Sequence, residues 1–321
     1  MGRSGQYWRF WSYQNGLYQK KWYGRFRQRL KRNFHCCLLL AVSSIFVNSS
    51  AYAYYPAIHE SLTKLAIERY NHCQSTLGLP EFNLTLANLI SEANSHEDTQ
   101  FIFKRILNWH FYDVNKEEKK LLFFDTRLHR HFNALELSLL SRPPDMTERG
   151  RLLGALLHYI QDVSVPAHVA PIFHPRLELP AQDSFDEYPV AQLWQNRENL
   201  EKNITCPQFN RDLQATIDAT DQYNRLLDRV ALQTRVAITQ PIADLPVTWN
   251  AFWLTGEKGE FGEYGIAGNH FGEQVSIPCA ESICKIEAGD KIYVEFAFVQ
   301  HRLAIQASVD AIYLMLSLAN K

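Results

Sequence analysis

Apolar residues recur at intervals of three and four along most of the chain after residue 54, which is the period of one buried face of a helix. Just after His59 this period is carried by Leu62, Leu65, Ala66 and Tyr70. The same pattern predicts helices over 83–93, after Pro144, over 211–238 and over 293–318. Few segments alternate with period two, so the sequence predicts an all-α fold in a single multi-helical domain.

The helix after Pro144 has the clearest boundaries. Asp145 and Thr147 are both candidates for its N-cap, and we expect Pro166 to end it. Its predicted buried stripe consists of Leu152, Leu153, Leu156 and Ile160.

Residues 241–290 lack the helical period and contain half of the chain's fourteen glycines. We therefore expect a long Gly-rich irregular segment before the C-terminal helix, and loops of this length are often functional. Trp249, Phe252 and Trp253 adjoin this segment. We interpret them as a candidate substrate-facing lip, although such aromatic residues are more often part of the core.

The first 53 residues resemble a targeting segment rather than part of the fold. Lys31 and Arg32 precede an uncharged apolar run at 36–47, and the small-residue motif Ala51-Tyr52-Ala53 follows it. These are the three parts of a secretory signal, and the run is shorter than the ~20 residues of a membrane span. A mitochondrial-type presequence or a basic cytosolic tail is the alternative. We expect a signal segment at 1–53 and a domain at 54–321 that begins with Tyr54. The mature chain would have no transmembrane span and would be secreted or periplasmic.

Charge is distributed unevenly along the chain. Residues 1–53 hold nine of the 33 Lys and Arg and none of the 34 Asp and Glu, so 54–321 carries a net charge of −10. An acidic domain disfavours duplex nucleic acid, which is bound through Lys and Arg contacts to phosphate. No feature of the sequence indicates an obligate protein partner. Three disulfide pairings or free thiols are open to the four remaining cysteines, Cys73, Cys206, Cys279 and Cys284.

His158, Asp162 and His168 have a spacing that suits a metal site. The first two are four residues apart on a predicted helix and project from one face, and Pro166 turns the chain so that His168 returns towards them. Zinc accepts imidazole nitrogen and carboxylate oxygen as ligands. A solvated His–Asp pair beside an unrelated loop histidine has the same spacing, so both interpretations stay open on this motif alone.

Three further residues precede this motif: His59 near the start of the domain, Asp98, and His110 among aromatic residues. Each alone is more often structural. Together with the segment Leu-His-Tyr-Ile-Gln-Asp-Val-Ser-Val-Pro-Ala-His at 157–168, they resemble the zinc-dependent phospholipase C and single-strand nuclease superfamily. The resemblance covers about residues 54–190.

This resemblance implies a secreted all-α enzyme that holds three zinc ions in a cleft. It assigns the first zinc to Asp98, His110, His158 and Asp162. It assigns the second zinc to Tyr54, through its terminal amine and carbonyl, and to His59 and Asp162, so that Asp162 bridges two ions. Asp98 would also orient the attacking water, which makes Asp98 and Asp162 the candidate catalytic residues.

The third zinc site departs from the family pattern. The family places His-x3-Glu or His-x3-Asp after His168, and Asp186 fits the carboxylate, but Gln182 stands where the histidine belongs. His174 can supply the nitrogen through a different loop path, so the third zinc is assigned to His168, His174 and Asp186. His174 together with Glu178 also has the literal spacing. His270, in the Gly-rich segment, is a third candidate.

The expected chemistry is phosphodiester hydrolysis by a metal-activated hydroxide. The run at 110–113, His-Phe-Tyr-Asp, is similar to the phospholipase side of the superfamily. We therefore expect a phospholipase C that cleaves glycerophospholipids such as phosphatidylcholine, at a membrane or micelle surface, to diacylglycerol and a phosphorylated head group. The spacing of Tyr54 and His59 is similar to the nuclease side, so a single-strand nuclease or nucleotidase is the alternative. Gln182 also leaves open a non-catalytic secreted metal-binding protein.

Overall fold

The structure is a computed structural model that describes residues 56–77, 83–99, 110–121, 124–126, 128–141, 145–174, 183–189, 194, 196–207, 221–279 and 281–319. All of them belong to one unit of the chain, Ser50–Lys321. The predicted signal segment and Tyr54 lie outside the described residues.

The described part of the chain is mostly helical, as the sequence predicts. Its α-helices are α1 (Pro56–Leu77), α2 (Leu84–Thr99), α3 (Leu128–Leu140), α4 (Met146–Asp162), α5 (Pro166–Val169), α6 (Arg197–Asn203), α7 (Gln222–Ile238) and α8 (Lys291–Ala319). Its strands form three antiparallel pairs: β1 (Lys120–Leu121) with β2 (Phe124–Asp125), β3 (Trp253–Leu254) with β4 (Glu263–Tyr264), and β5 (Val275–Cys279) with β6 (Ser282–Ile286).

Helix α4 lies at the centre of the fold, where it packs against α1, α2, α3 and α8. Asp145 is its N-cap and accepts a hydrogen bond from the backbone N–H of Thr147. The predicted stripe faces the core, with Leu153, Leu156 and Ile160 fully buried. Because so much of α4 is buried, side chains near its end reach the interior rather than solvent.

The expectation that α4 ends at Pro166 is wrong. The helix ends at Asp162, and Val163 is its C-cap. Pro166 instead occupies the first turn of α5, where proline is favoured because its fixed φ suits a helix and its missing N–H would have no intrahelical partner. Val165 N–H donates to the Asp162 carbonyl at 2.8 Å, which makes the turn that carries His168 back towards α4.

A glycine lets α2 approach α4 closely. A Cβ atom on Gly154 would lie 2.5 Å from the carbonyl oxygen of Ile90 and 2.6 Å from the Cβ of Ala93, both on α2. Only the absence of a side chain permits this separation. The close packing brings Asp98, near the end of α2, beside the end of α4.

The Gly-rich segment is not wholly irregular, which corrects the expectation for 241–290. It contains a short 3-10 helix at Trp249–Ala251 and the hairpins β3–β4 and β5–β6. In β5, Val275, Ile277 and Cys279 are buried and alternate with exposed residues, which is the period of a half-buried strand. This alternation covers only five residues, so it is difficult to recognise in a Gly-rich sequence.

The predicted aromatic lip is also wrong. Trp249 is 5% exposed, and Phe252 and Trp253 are each 1% exposed. They pack against one another and against Phe271 and Phe296. These side chains form an aromatic core that supports the Gly-rich segment, so they do not face a substrate.

Two disulfides decide between the open cysteine pairings. Cys73 at the end of α1 is bonded to Cys206 after α6, and Cys279 is bonded to Cys284 within the β5–β6 hairpin. Such bonds persist in oxidising compartments. Among the helices described, none has a stretch long and apolar enough to cross a membrane.

Candidate metal centre

Imidazole and carboxylate side chains converge in three buried groups. In each group the potential ligand atoms lie within 4.8 Å of one another. The groups are the His59 group (His59, His158, Asp162), the His110 group (Asp98, His110, His158) and the His168 group (His168, His174, Asp186). The structure therefore brings together eight of the nine predicted metal ligands, and Tyr54 lies outside the described residues.

Asp162 lies between the first two groups. Its Oδ1 is 3.2 Å from Nε2 of His59, which α1 supplies. Its Oδ2 is 2.6 Å from Nδ1 of His110 and 3.4 Å from Nε2 of His158, one turn earlier on α4. Because its two oxygens face different imidazoles, the carboxylate is placed to contact two adjacent cations.

Asp98 faces the same space from α2. Its Oδ2 is 3.7 Å from Nε2 of His59, and its Oδ1 is 3.7 Å from Nε2 of His158. Nε2 of His158 also lies 3.1 Å from Nδ1 of His110. These nitrogens and oxygens point towards a common centre rather than towards solvent.

The His168 group is built from α5 and the two segments that follow it. Nε2 of His174 is 3.5 Å from Oδ2 of Asp186, and all three side chains are almost fully buried. Of the candidates for the nitrogen ligand of the third site, His174 is therefore the one that lies in the group. His270 does not join the group, since it is exposed and its Nδ1 lies 2.9 Å from Oε2 of Glu273. Gln182 and Glu178 lie outside the described residues.

Three of the histidines have their ring orientation set by a hydrogen bond on Nδ1. His168 donates to the carbonyl of His110 at 2.9 Å, and His174 donates to the carbonyl of Ile172 at 2.7 Å. Nδ1 of His59 lies 2.8 Å from Oε1 of Gln161. Because these oxygens can only accept, Nδ1 carries the proton and Nε2 presents its lone pair to the group. A second hydrogen bond of this kind is typical of metal-binding histidines.

A polar cluster behind His59 was missed by the sequence reasoning. It consists of Thr63, Asn94, Gln161 and Ser308, all buried within the helical core. Nε2 of Gln161 donates to Thr63 and Ser308, and Asn94 donates to Oε1 of Gln161. These bonds fix the amide so that its oxygen faces His59. The sequence signal for this cluster was Gln161, a polar residue next to the predicted buried Ile160.

Electrostatics at the His168 group favours a bound cation. Burial lowers the pKa of His168 to about 3 and also lowers the pKa of His174, so both imidazoles are neutral near pH 7. Burial, reinforced by the charges of Asp183 and Asp162, raises the pKa of Asp186 well above its ordinary value. A divalent cation would reverse that effect by stabilising the ionised carboxylate.

Asp162 behaves differently from Asp186. Burial alone would raise its pKa, but the neighbouring imidazoles of His158, His110 and His59 outweigh burial and lower the pKa well below the usual range. The carboxylate is therefore ionised, as a metal ligand must be.

The donor atoms fit a metal ion. Within the described part of the chain, neither oxygen of Asp186 makes a hydrogen bond, and neither does Nε2 of His168, although all three atoms are buried. Buried polar atoms normally have partners, and a metal ion accounts for such exceptions. Imidazole nitrogens and carboxylate oxygens are ligands of divalent transition metals. The three groups are thus buried sites able to bind metal ions.

Comparisons with protein-family models, curated proteins and solved structures find no match to this chain.

Proposed function

We propose that this chain is a secreted, zinc-dependent phosphodiesterase of the phospholipase C type. Its substrate would be a glycerophospholipid such as phosphatidylcholine, cleaved to diacylglycerol and a phosphorylated head group. The observation that supports the proposal is the convergence of three buried imidazole–carboxylate groups around α4, two of which share His158. Three adjacent cation sites suit a phosphate ester, because its oxygens carry the negative charge that must be stabilised.

Zinc suits the donor set, since imidazole and carboxylate are among its usual ligands. The cysteines Cys73, Cys206, Cys279 and Cys284 are in disulfides and supply no thiolate. One ion would be held by Asp98, His110, His158 and Asp162, a second by His59 and Asp162 together with the terminal Tyr54, and a third by His168, His174 and Asp186. When bound, zinc lowers the pKa of a coordinated water to about 7 and polarises phosphoryl oxygens.

The protein's own groups would hold and orient the reactants. Asp162 is ionised and faces both the His59 and the His110 groups, so it fixes their separation. Asp98 has both oxygens directed at the same centre, and it would orient the attacking water by accepting a hydrogen bond from it. Because His168 and His174 are neutral, the bound cation would supply all of the positive charge at the third site.

The preference for a lipid rests on the His-Phe-Tyr-Asp run at 110–113. The acidic composition of 54–321 is consistent with that preference, because it supplies few cations for a polynucleotide backbone. The burial of Trp249 and Trp253 removes them both as contacts for acyl chains and as stacking platforms for bases. Single-stranded DNA is therefore the comparison substrate in the test.

The test measures zinc content and phosphocholine release from phosphatidylcholine micelles by the purified protein, with and without a chelator. We expect about three zinc ions per chain and release that chelation abolishes. Hydrolysis that persists after all zinc is removed would refute the proposal. Cleavage of single-stranded DNA without phosphocholine release would favour the nuclease.

A matched pair of variants tests the third site. His174→Ala removes a nitrogen from the His168 group, and we expect loss of one zinc and a fall in kcat of about 100-fold or more. His270→Ala removes an exposed histidine outside the three groups and should leave zinc content and kcat unchanged. Equal effects of the two substitutions would contradict the assignment of His174.

A further inference from the structure

We infer that Asp183 is the residue that positions Asp186 in the His168 group, and that the indole of Trp253 in the Gly-rich segment holds Asp183 in place. The inference rests on the proposed function, since it concerns the third metal ion. It also assigns a role to a part of the chain that supplies no residue to the three groups.

Asp183 organises the turn that carries Asp186. Its Oδ1 accepts a hydrogen bond from the backbone N–H of Phe185 at 2.9 Å, and its own carbonyl accepts one from the N–H of Asp186 at 3.1 Å. An aspartate that bonds to the backbone two residues later stabilises a tight turn. This turn directs the buried carboxylate of Asp186 towards Nε2 of His174.

The second oxygen of Asp183 is bound from the Gly-rich segment. Nε1–H of Trp253 donates to Oδ2 of Asp183 at 2.9 Å, and both side chains are almost fully buried. Trp253 cannot shift easily, because its ring is packed against Phe271 and Phe296. A rigid donor in the aromatic core thus fixes the residue on which the turn is built.

Further bonds join the same turn to the same segment. The N–H of Ser184 donates to Oδ1 of Asn269 at 2.7 Å, and the N–H of Phe271 donates to Oγ of Ser184 at 2.7 Å. Nearby, the N–H of Gly262 donates to the carbonyl of Pro171 at 2.7 Å, just before His174. The Gly-rich segment therefore holds the backbone beside two members of the His168 group.

Asp183 is a positioning residue rather than a ligand. Its oxygens are not among the atoms that converge in the His168 group, and each already accepts a hydrogen bond from an N–H group. Without this anchor, Asp186 would sample positions away from His174. The predicted consequence is weaker binding of the third ion alone.

The test is Trp253→Phe, which removes the indole donor and keeps an aromatic ring. The matched control is Trp249→Phe, the same substitution at a buried neighbour in the same aromatic core. Zinc affinities are measured by chelator competition on the purified full protein. Loss of an outer hydrogen-bond partner typically weakens metal binding by about 10- to 100-fold. We expect that loss for one ion in Trp253→Phe, with the other two unchanged, and no loss in Trp249→Phe.

A second variant keeps the test decisive if Trp253→Phe does not fold. Asp183→Asn is nearly isosteric, but with its oxygen on the N–H of Phe185 its amide nitrogen would face the indole N–H, a contact between two donors. We expect the third ion to bind about 10- to 100-fold more weakly. Where Trp253→Phe does fold, its addition to Asp183→Asn removes the donor–donor contact and should restore part of the affinity, which a merely structural effect would not do.

The outcomes distinguish a failure of this inference from a failure of the proposed function. A wild-type protein that binds no third ion would refute the function assigned to the His168 group. A wild-type protein with three ions, and a Trp253→Phe variant with the same three affinities, would overturn the inference alone. Equal weakening by Trp253→Phe and Trp249→Phe would overturn it too, because packing rather than the hydrogen bond would then be responsible.

Discussion

The close packing of α2 on α4 makes a strong prediction about two glycines one helical turn apart. A Cβ atom at Gly154 would lie 2.5 Å from the carbonyl oxygen of Ile90 and 3.0 Å from the backbone nitrogen of Asn94. A Cβ atom at Gly150 would instead meet side-chain carbons, at 2.8 Å for a methyl group of Leu86 and 3.1 Å for a methyl group of Leu89. Methyl groups can rotate away, whereas the backbone of a packed helix cannot.

The expected magnitudes follow from this difference. Gly→Ala inside a helix gains about 1 kcal/mol of stability from helix propensity, and overpacking in a core costs about 1–3 kcal/mol. For Gly150→Ala the two effects should nearly cancel, so the free energy of unfolding should change by less than about 1 kcal/mol. For Gly154→Ala the helices must separate, and we expect a net loss of about 2 kcal/mol.

Urea denaturation followed by far-UV circular dichroism measures both variants against the wild type. Because α2 carries Asp98, Gly154→Ala should also weaken zinc binding at the His110 group, and chelator competition tests that. Equal stabilities for Gly150→Ala and Gly154→Ala would refute the idea that backbone contact limits the approach of α2. Unchanged zinc affinity in a destabilised Gly154→Ala would refute the link between helix packing and Asp98.

Three other perturbations have defined outcomes. Gln161→Met removes the acceptor for Nδ1 of His59, so zinc affinity, measured by chelator titration, should fall about 10- to 100-fold. An affinity equal to that of the wild type would show that Gln161 does not orient His59 for metal binding. Burial raises the pKa of Glu136 to about 7, whereas the same carboxyl in the unfolded chain has its ordinary pKa near 4.5. Because the folded state keeps the proton to higher pH, the free energy of unfolding of the wild type falls as pH rises between those two values. The stability of Glu136→Gln relative to wild type should therefore rise by about 2 kcal/mol from pH 5 to pH 8 in urea denaturation, and a constant difference would contradict the shift. Replacement of Cys73 and Cys206 by serine opens a loop of 133 residues and should cost about 4 kcal/mol of unfolding free energy; a loss below 1 kcal/mol would exclude entropic stabilisation.

The helical part of the fold was predictable because its signals are local. The period after His59 and the capping aspartate at 145 each lie within a few residues of the element they specify, and both are confirmed. The end of α4 was mispredicted because Pro166 marks equally well the end of one helix and the start of another. Which of the two Pro166 marks depends on the path of the chain between Asp162 and Pro166.

The candidate site was predictable where its residues follow a helix. His158 and Asp162 share a face of α4, and their convergence required no long-range information. The choice of His174 over His270 had no support from local sequence signals, because the bond from Gly262 to the carbonyl of Pro171 joins segments some ninety residues apart. The role of Trp253 was hidden for the same reason, since its partner Asp183 lies 70 residues earlier.

The disulfide between Cys73 and Cys206 has a topological consequence for the metal centre. Of the eight residues in the three groups, only His59 precedes Cys73, and the other seven lie between the two cysteines. The bond thus closes the chain into a covalent ring that contains nearly the whole ligand set. His59 enters from outside the ring on α1, the same helix that carries Cys73. Oxidation of this one cysteine pair therefore restricts the conformations of seven ligands at once, which lowers the entropy lost when metal binds.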